Sequence, residues 1–237
     1  MERDEIDRKV ELQRKIRQRK AMRMKRLRRR RRILIAVMAA VLLAVILGIV
    51  WLVELIRKPK QAELTSIVIP DWIQQDFIRT NEYSRPGKKL ERVNGIVIHY
   101  IGNPGTTAMQ NRNYFDSLAD QTGENAVSVS SNFIVGLEGE IIQCIPLDEV
   151  AYASNNRNSD TISIECCHPD ATGEFTAETY ASMVKLTAWL CDELSLDSSD
   201  VIRHYDVTKK KCPLYFVEHK DAWKKFRSDV RHYKEDE

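Results

Sequence analysis

A run of 21 residues without a single charge, Ile33–Val53, constrains this chain of 237 residues more than any other feature. As a helix it is about 31 Å long, which matches the roughly 30 Å hydrocarbon core of a bilayer. A cleaved signal peptide has a shorter apolar region followed by a small-residue cleavage site. This run instead has Trp51 near its end and is followed directly by the charged Glu54, with no such site. The sequence therefore predicts an uncleaved membrane anchor.

Charge is strongly segregated along the chain, although the formal net charge is only +3. Residues 1–32 hold 16 Lys/Arg and 5 Asp/Glu, whereas residues 59–237 hold 19 Lys/Arg and 28 Asp/Glu. Because cytoplasmic flanks of membrane spans carry the excess of Lys and Arg, residues 1–32 are predicted to be cytoplasmic and to lie on anionic lipid. A nucleic-acid-binding or partner-binding arm is the alternative for this segment. The acidic remainder argues against nucleic acid as its main ligand.

The span divides the chain into parts with different predicted roles. These parts are a basic cytoplasmic segment (1–32), a transmembrane helix (33–53), a stalk (54–64) and an extracytoplasmic domain (65–237). The last part is long enough for one well-buried domain and short for two. The sequence does not indicate an oligomeric state.

Strand-like and helix-like segments alternate in the last part. Runs rich in β-branched residues predict strands, and apolar residues at helical spacing predict helices. The predicted strands are Val93–Ile101, Val127–Val135, Glu140–Ile145, Thr161–Cys166 and Val201–Ile202, and the predicted helices are Asp71–Ile78, Thr107–Asp120, Thr176–Leu194 and Val217–Tyr233. This alternation predicts an α/β domain around one sheet.

Three side chains form the strongest candidate site. His99 and His204 each lie near the end of a predicted strand, where α/β sheets open to ligand, and Cys212 follows His204 by eight residues. Two imidazoles and one thiolate make a tetrahedral zinc site with one open position. Three lysines, Lys209–Lys211, are expected to lower the pKa of the Cys212 thiol. A buried cysteine and two unrelated histidines are the alternative.

Hydrolysis at such a site needs a group that moves protons and a group that stabilises an oxyanion. Glu165 ends an apolar strand with a charge and is the best candidate base, and Lys210 is the candidate cation. The alternatives are a solvated strand-end glutamate and a solvated loop lysine. Asn132, Asn155 and Arg157 are candidates for substrate contact, with a solvated turn as the alternative.

Four stretches of the chain, taken in order, carry a family resemblance. They are Gly95–Tyr100, Ser131–Val135 with Gly139–Ile142, Ser159–Glu165, and His204–Pro213. In the last of these a His is followed by a Lys six residues on and by Cys-Pro at eight and nine. The pattern resembles the zinc-dependent N-acetylmuramoyl-L-alanine amidases of type 2, which are related to phage lysozyme-type amidases and peptidoglycan recognition proteins. The likeness covers roughly residues 65–230.

The resemblance implies a fold and a site. The implied fold is a central mixed β-sheet flanked by helices, with Zn²⁺ bound by His99, His204 and Cys212 in a cleft. It also implies that Lys210 is the catalytic lysine and that Glu165 occupies the position of a catalytic glutamate in some bacterial and phage amidases. Some relatives carry a catalytic tyrosine where this chain has Ser131, so proton transfer rests more heavily on the glutamate.

The function implied by the resemblance is hydrolysis of peptidoglycan at the surface of a Gram-positive bacterium. A membrane-anchored enzyme would use zinc-activated water to cleave the amide bond between N-acetylmuramic acid and L-alanine of the stem peptide. A non-catalytic peptidoglycan-binding module and a zinc peptidase acting within the stem peptide are the alternatives. Binding modules of this kind typically lack the zinc cysteine, so Cys212 favours an enzyme.

Four further cysteines have no predicted role in the site. We expect buried free thiols, and a disulfide within this group is the alternative. They are Cys144, Cys166, Cys167 and Cys191.

Overall fold

The computed structural model describes residues 2–56, 63–122 and 125–233. It divides into two compact units, Met1–Lys58 and Pro59–Glu237. Residues 57–62 of the predicted stalk lie outside the described residues.

The first unit is a single helix, α1 (Glu2–Ile56). Its segment Met22–Trp51 contains a stretch of 18 residues with a mean hydropathy of 3.3 that is not buried against protein, and by length and composition the helix could cross a bilayer. The uncharged run predicted from the sequence lies almost entirely within this segment. Length and composition suit a membrane anchor and a signal sequence alike.

The second unit is built on six strands. They are β1 (Gln74–Gln75), β2 (Gly95–Tyr100), β3 (Phe133–Val135), β4 (Ile141–Gln143), β5 (Thr161–Cys166) and β6 (Val201–Arg203). The strand order is β1-β4-β3-β5-β2-β6; the β3–β4 pair is antiparallel and the other described strand pairs are parallel. The mixed sheet implied by the resemblance is therefore confirmed, with β2 and β5 paired along their full length at its centre.

Helices cover both faces of this sheet. They are α2 (Ala108–Ser117), α3 (Ala177–Glu193), α4 (His204–Thr208), α5 (Leu214–Glu218) and α6 (Lys220–His232). Thr107 caps α2 through a capping box with Gln110, and Thr176 caps α3 at the residue where the sequence predicts that helix to begin. These caps satisfy backbone N–H groups that have no partner within the helix.

Two helix predictions are wrong in part. The segment predicted as a helix at Asp71–Ile78 contains the edge strand β1, which pairs with β4. The helix predicted from Val217 is two helices, α5 and α6, because His219 leaves the helical conformation with φ −112° and ψ 80°.

Separate apolar clusters fill the two faces of the sheet. Ile98 and Phe133 belong to the cluster that includes residues of α3 and α6, whereas Ile134 belongs to the cluster that includes Phe115 of α2. Successive strand residues point to opposite faces, so His99 and Glu165 lie on the face covered by α2. All five cysteines are buried free thiols, as expected.

Candidate active site

A cleft of about 360 Å³ opens beside the carboxyl ends of β2 and β5. Five of its lining residues are those that the sequence predicts for metal binding and catalysis: His99, Glu165, His204, Lys210 and Cys212. The parallel pairing of β2 with both β5 and β6 explains the convergence, because carboxyl ends of neighbouring parallel strands meet at one edge.

The three predicted metal ligands form one buried cluster. One ligand atom from each of His99, His204 and Cys212 lies within 4.8 Å of the other two. His99 Nδ1 is 3.8 Å from Cys212 Sγ, and the two imidazole centroids are 4.6 Å apart. The Tyr205 N–H donates to the Cys212 carbonyl at 2.9 Å, which holds the cysteine loop against the start of α4.

Both imidazoles of the cluster have a lowered pKa. Burial, together with the charges of His204 and Lys210, lowers the pKa of His99 well below its ordinary value. Burial and Lys210 likewise lower the pKa of His204. Only a neutral imidazole has a lone pair for a metal, so this electrostatic environment favours ligation.

The prediction that lysines lower the pKa of Cys212 is wrong for the protein alone. Burial raises the pKa of this thiol to about 12, and Lys210 offsets only part of that effect. Lys211 is paired with Glu218 at 2.9 Å, and Lys209 lies 5.3 Å from the centre of the Tyr205 ring. A coordinating divalent cation deprotonates a thiol outright, so the charge that stabilises a Cys212 thiolate would come from the metal.

The donor set fits a zinc ion. Two neutral imidazoles and one thiol are nitrogen and sulfur ligands of the kind that zinc prefers, and all three are buried where they meet. The cluster also borders the cleft, so one side of a bound ion could face substrate.

Glu165 lies beside this cluster and is largely but not completely buried. Its side chain is 13% exposed, Oε1 lies 3.9 Å from His99 Nδ1, and the buried Oε2 has no hydrogen-bond partner among the described residues. Burial raises the pKa of Glu165 to about 8, with Lys210 opposing the rise. The alternative of a solvated strand-end glutamate is therefore wrong. A carboxyl that titrates near neutral pH suits proton transfer.

Lys210 is exposed and lines the same cleft. Lys209, with φ 66°, ends α4 in the left-handed conformation, and the chain then turns back towards Cys212. Lys210 is the lysine of the three that lines the cleft.

Three predicted substrate-contact residues do not line the cleft. Asn132 is fully buried. Its side-chain oxygen accepts from the Ser163 N–H at 3.0 Å, and its side-chain nitrogen donates to the Glu149 carbonyl at 3.3 Å. Arg157 is paired with Asp160 at 2.7 Å. Asn155 reaches the site through a different contact, since its Oδ1 lies 3.1 Å from His204 Nε2. None of the three lines the cleft, and substrate contact by these residues stays a prediction.

Ser131 has a structural role here. Its buried hydroxyl lies 2.9 Å from the Phe133 carbonyl and 2.8 Å from the Ser163 carbonyl. No hydroxyl is therefore presented to the cleft from this position.

One wall of the cleft was not predicted from the sequence. Asn111, Tyr114 and Phe115 of α2 contribute it. The sequence predicted only a helix over Thr107–Asp120 and gave no signal that this helix would line a cleft.

The comparison with protein families decides the relationship. The profile of the family described as N-acetylmuramoyl-L-alanine amidase matches residues 89–214, which is more than half of the chain. The chain belongs to this amidase family. The matched segment contains all five predicted metal and catalytic residues, so the resemblance drawn from the motifs is confirmed.

Curated relatives of this amidase-family chain come from bacilli. It is 34% identical over 170 residues to N-acetylmuramoyl-L-alanine amidase CwlL of Bacillus licheniformis, covering 67% of this chain and 46% of the relative. It is 32% identical over 176 residues to N-acetylmuramoyl-L-alanine amidase BlyA of Bacillus subtilis (strain 168), covering 65% and 46%. The chain thus spans about half the length of the curated relatives that it matches.

Solved structures share the amidase fold. The catalytic domain of XlyA is 26% identical with a TM-score of 0.55, and the match covers 67% of this chain and 98% of that domain. A mutant endolysin from Bacillus subtilis is 27% identical with a TM-score of 0.56, covering 67% and 97%. In each case the match takes in nearly all of the solved chain.

Proposed function

We propose that this chain is a zinc-dependent hydrolase that cleaves the amide bond between N-acetylmuramic acid and L-alanine in peptidoglycan. The observation that carries the proposal is the convergence of His99, His204 and Cys212 beside the buried Glu165 in one open cleft. Membership of the amidase family supports the choice of bond.

The three clustered side chains would hold the metal. A zinc ion held there by two imidazoles and a thiolate would supply Lewis acidity at the scissile carbonyl and would lower the pKa of water at the site towards neutral. The buried position of the ligands keeps both imidazoles neutral and available. His99 and Cys212 approach each other from β2 and the loop after α4, so the site depends on the folded sheet.

Glu165 would move the proton. Its unpartnered Oε2 can accept a proton from the attacking water and then deliver it to the nitrogen of the leaving L-alanine. Burial supports this role, because it raises the pKa of the carboxyl to about 8 and makes both protonation states accessible near neutral pH.

Lys210 would stabilise the negative charge that develops on the carbonyl oxygen. Its ammonium lines the same cleft, and its charge already acts on His99, His204 and Glu165. A fixed positive charge aimed at a developing oxyanion is among the largest contributions that side chains make to such reactions.

The N-terminal helix would anchor the enzyme. An uncharged run of bilayer length, preceded by a strongly basic segment, supports a single span over residues 33–53 with residues 1–32 in the cytoplasm. The stalk over 54–64 and the amidase domain over 65–237 would then lie outside the membrane. Such a tether would confine cleavage to wall polymer near the membrane.

Product analysis tests the proposal against its two alternatives. The full-length chain, purified in detergent, is incubated with muropeptides with and without a zinc chelator. New lactyl carboxylates and free L-alanine amino termini, lost with chelator, are expected. New termini inside the stem peptide would indicate a peptidase, and binding without products would indicate a recognition module.

A further inference from the structure

Two consecutive residues, Ser154 and Asn155, each contact one imidazole of the cluster. Ser154 Oγ lies 3.1 Å from His99 Nε2, and Asn155 Oδ1 lies 3.1 Å from His204 Nε2. The two histidines are 105 residues apart in the chain, yet adjacent residues of one loop reach both of them.

These contacts select one nitrogen of each ring as the metal ligand. His99 Nδ1 faces Cys212 Sγ at 3.8 Å; with this nitrogen as the metal ligand, the hydrogen of the neutral ring is on Nε2, which can donate it to Ser154 Oγ. Asn155 Oδ1 can only accept, so it requires hydrogen on His204 Nε2 and leaves Nδ1 with the lone pair. A hydrogen bond to the outer nitrogen fixes both the tautomer and the orientation of a ligating imidazole.

The Ser154 contact continues into the core. Its hydroxyl lies 3.1 Å from Ser163 Oγ, and both side chains are almost completely buried. Ser154 can therefore accept from His99 and donate to Ser163 at the same time. Water cannot replace either bond at this depth, so loss of the hydroxyl leaves a buried donor without a partner.

The loop is held in an unusual conformation to make these contacts. Asn155 has φ 54°, in the left-handed region that few residues other than glycine and asparagine adopt. The Asn158 side-chain oxygen fixes the turn by accepting from the N–H groups of Ala153 and Ser154 at 3.1 and 2.6 Å. Backbone in this region is retained where the surrounding structure requires it.

We propose that the Ser154–Asn155 pair is a positioning device for the metal ligands: Ser154 orients His99, Asn155 orients His204, and together they set the affinity of the site for zinc. This inference rests on the proposed zinc site. It assigns Asn155 to the orientation of a metal ligand instead of to substrate contact. Because Ser154 is buried and Asn155 is exposed, loss of the Ser154 hydroxyl weakens zinc binding more than loss of the Asn155 side chain.

Zinc titration of the full-length chain in detergent, in competition with a chromophoric chelator, tests the device. Ser154→Ala and Asn155→Gly are the test variants, and glycine keeps the left-handed backbone accessible. Both are expected to raise the zinc dissociation constant, Ser154→Ala by about 10–100-fold and Asn155→Gly by less. Asn155→Asp keeps an acceptor for His204 Nε2 and should bind zinc more tightly than Asn155→Gly. The absorption bands of the Co²⁺-loaded variants should shift as the imidazoles reorient.

Asn156→Ala is the matched control. Asn156 is an exposed neighbour in the same turn and has no hydrogen bond to either imidazole in the described structure. Wild-type affinity in Ser154→Ala and Asn155→Gly would overturn the inference and leave the zinc site intact. A loss shared by Asn156→Ala, or matched by a lower unfolding temperature of the metal-free chain, would also overturn it. Absence of zinc binding by the wild type would overturn the site itself.

Discussion

Glu165 is the register partner of His99 in the parallel pair β2–β5, and Glu165 Oε1 lies 3.9 Å from His99 Nδ1. The two side chains share one face of adjacent strands, so the sheet itself fixes their separation. A slip of one residue in the register would move one of them to the opposite face. The proposed proton-transfer group is therefore tied to a proposed metal ligand without an intervening loop.

Glu165→Gln tests the role of that carboxyl. Loss of the proton acceptor is expected to lower turnover of muropeptides by about 10²–10⁴-fold. Zinc content should be unchanged, because none of the three clustered ligands is altered. Glu138→Gln, an exposed residue in the turn between β3 and β4, is the control and should retain wild-type activity. Wild-type turnover in Glu165→Gln would remove this residue from the mechanism.

Lys210→Ala tests the proposed oxyanion charge. Turnover is expected to fall by roughly 10²-fold, since one preorganised group that stabilises the oxyanion is lost. Lys211→Ala is the matched control, because Lys211 is the next residue and its ammonium is paired with Glu218 at 2.9 Å. Steady-state kinetics on muropeptides measures both variants. Equal losses in the two variants would show that overall loop charge, and not Lys210, matters.

Arg85 and Glu149 form a bidentate ion pair that should stabilise the domain. Their N–O distances are 2.8 and 2.9 Å, the side chains are 16% and 13% exposed, and Arg85 also donates to the Ile78 carbonyl. Glu149→Ala leaves the partly buried guanidinium without its carboxylate partner, although its bond to the Ile78 carbonyl remains, and is expected to cost about 1–3 kcal/mol of unfolding free energy.

Denaturant unfolding followed by circular dichroism measures this effect. The control is Lys224→Ala, which removes an exposed pair with Asp221 and should change stability little. An equal effect of the two substitutions would contradict the importance assigned to burial of the Arg85–Glu149 pair.

Membrane attachment is tested by fractionation of cells that express the full chain. The protein is expected in the membrane pellet after an alkaline carbonate wash, with its N-terminus intact by mass spectrometry. Deletion of residues 33–53 should release it. A soluble product that lacks the N-terminal segment would instead identify a cleaved signal sequence.

The sequence indicated the central strands and the metal cluster well, for physical reasons. Buried parallel strands are apolar on both faces, so Gly95–Tyr100 and Thr161–Cys166 stand out, and a charged Glu165 at such a strand end is conspicuous. The edge strand Gln74–Gln75 was missed because it is two residues long, polar and exposed, and gives no alternation of burial.

Side-chain partners were harder to predict than elements. The sequence does not distinguish the roles of Asn132 and Asn155. In the structure Asn132 bonds to backbone groups in the core, whereas Asn155 contacts His204. The pKa of Cys212 was also predicted in the wrong direction, because nearby lysines are visible in the sequence and burial is not. Contacts between distant segments decide both cases.

The most direct test of the metal site is the zinc content of the purified full-length chain, measured by elemental analysis for the wild type and for Cys212→Ala. Cys191→Ala, another buried free thiol, is the matched control. One zinc per chain is expected in the wild type and in Cys191→Ala, with loss of both zinc and turnover in Cys212→Ala. A wild-type chain that binds no zinc when the ion is supplied, or a Cys212→Ala variant that keeps zinc and activity, would contradict the proposed site.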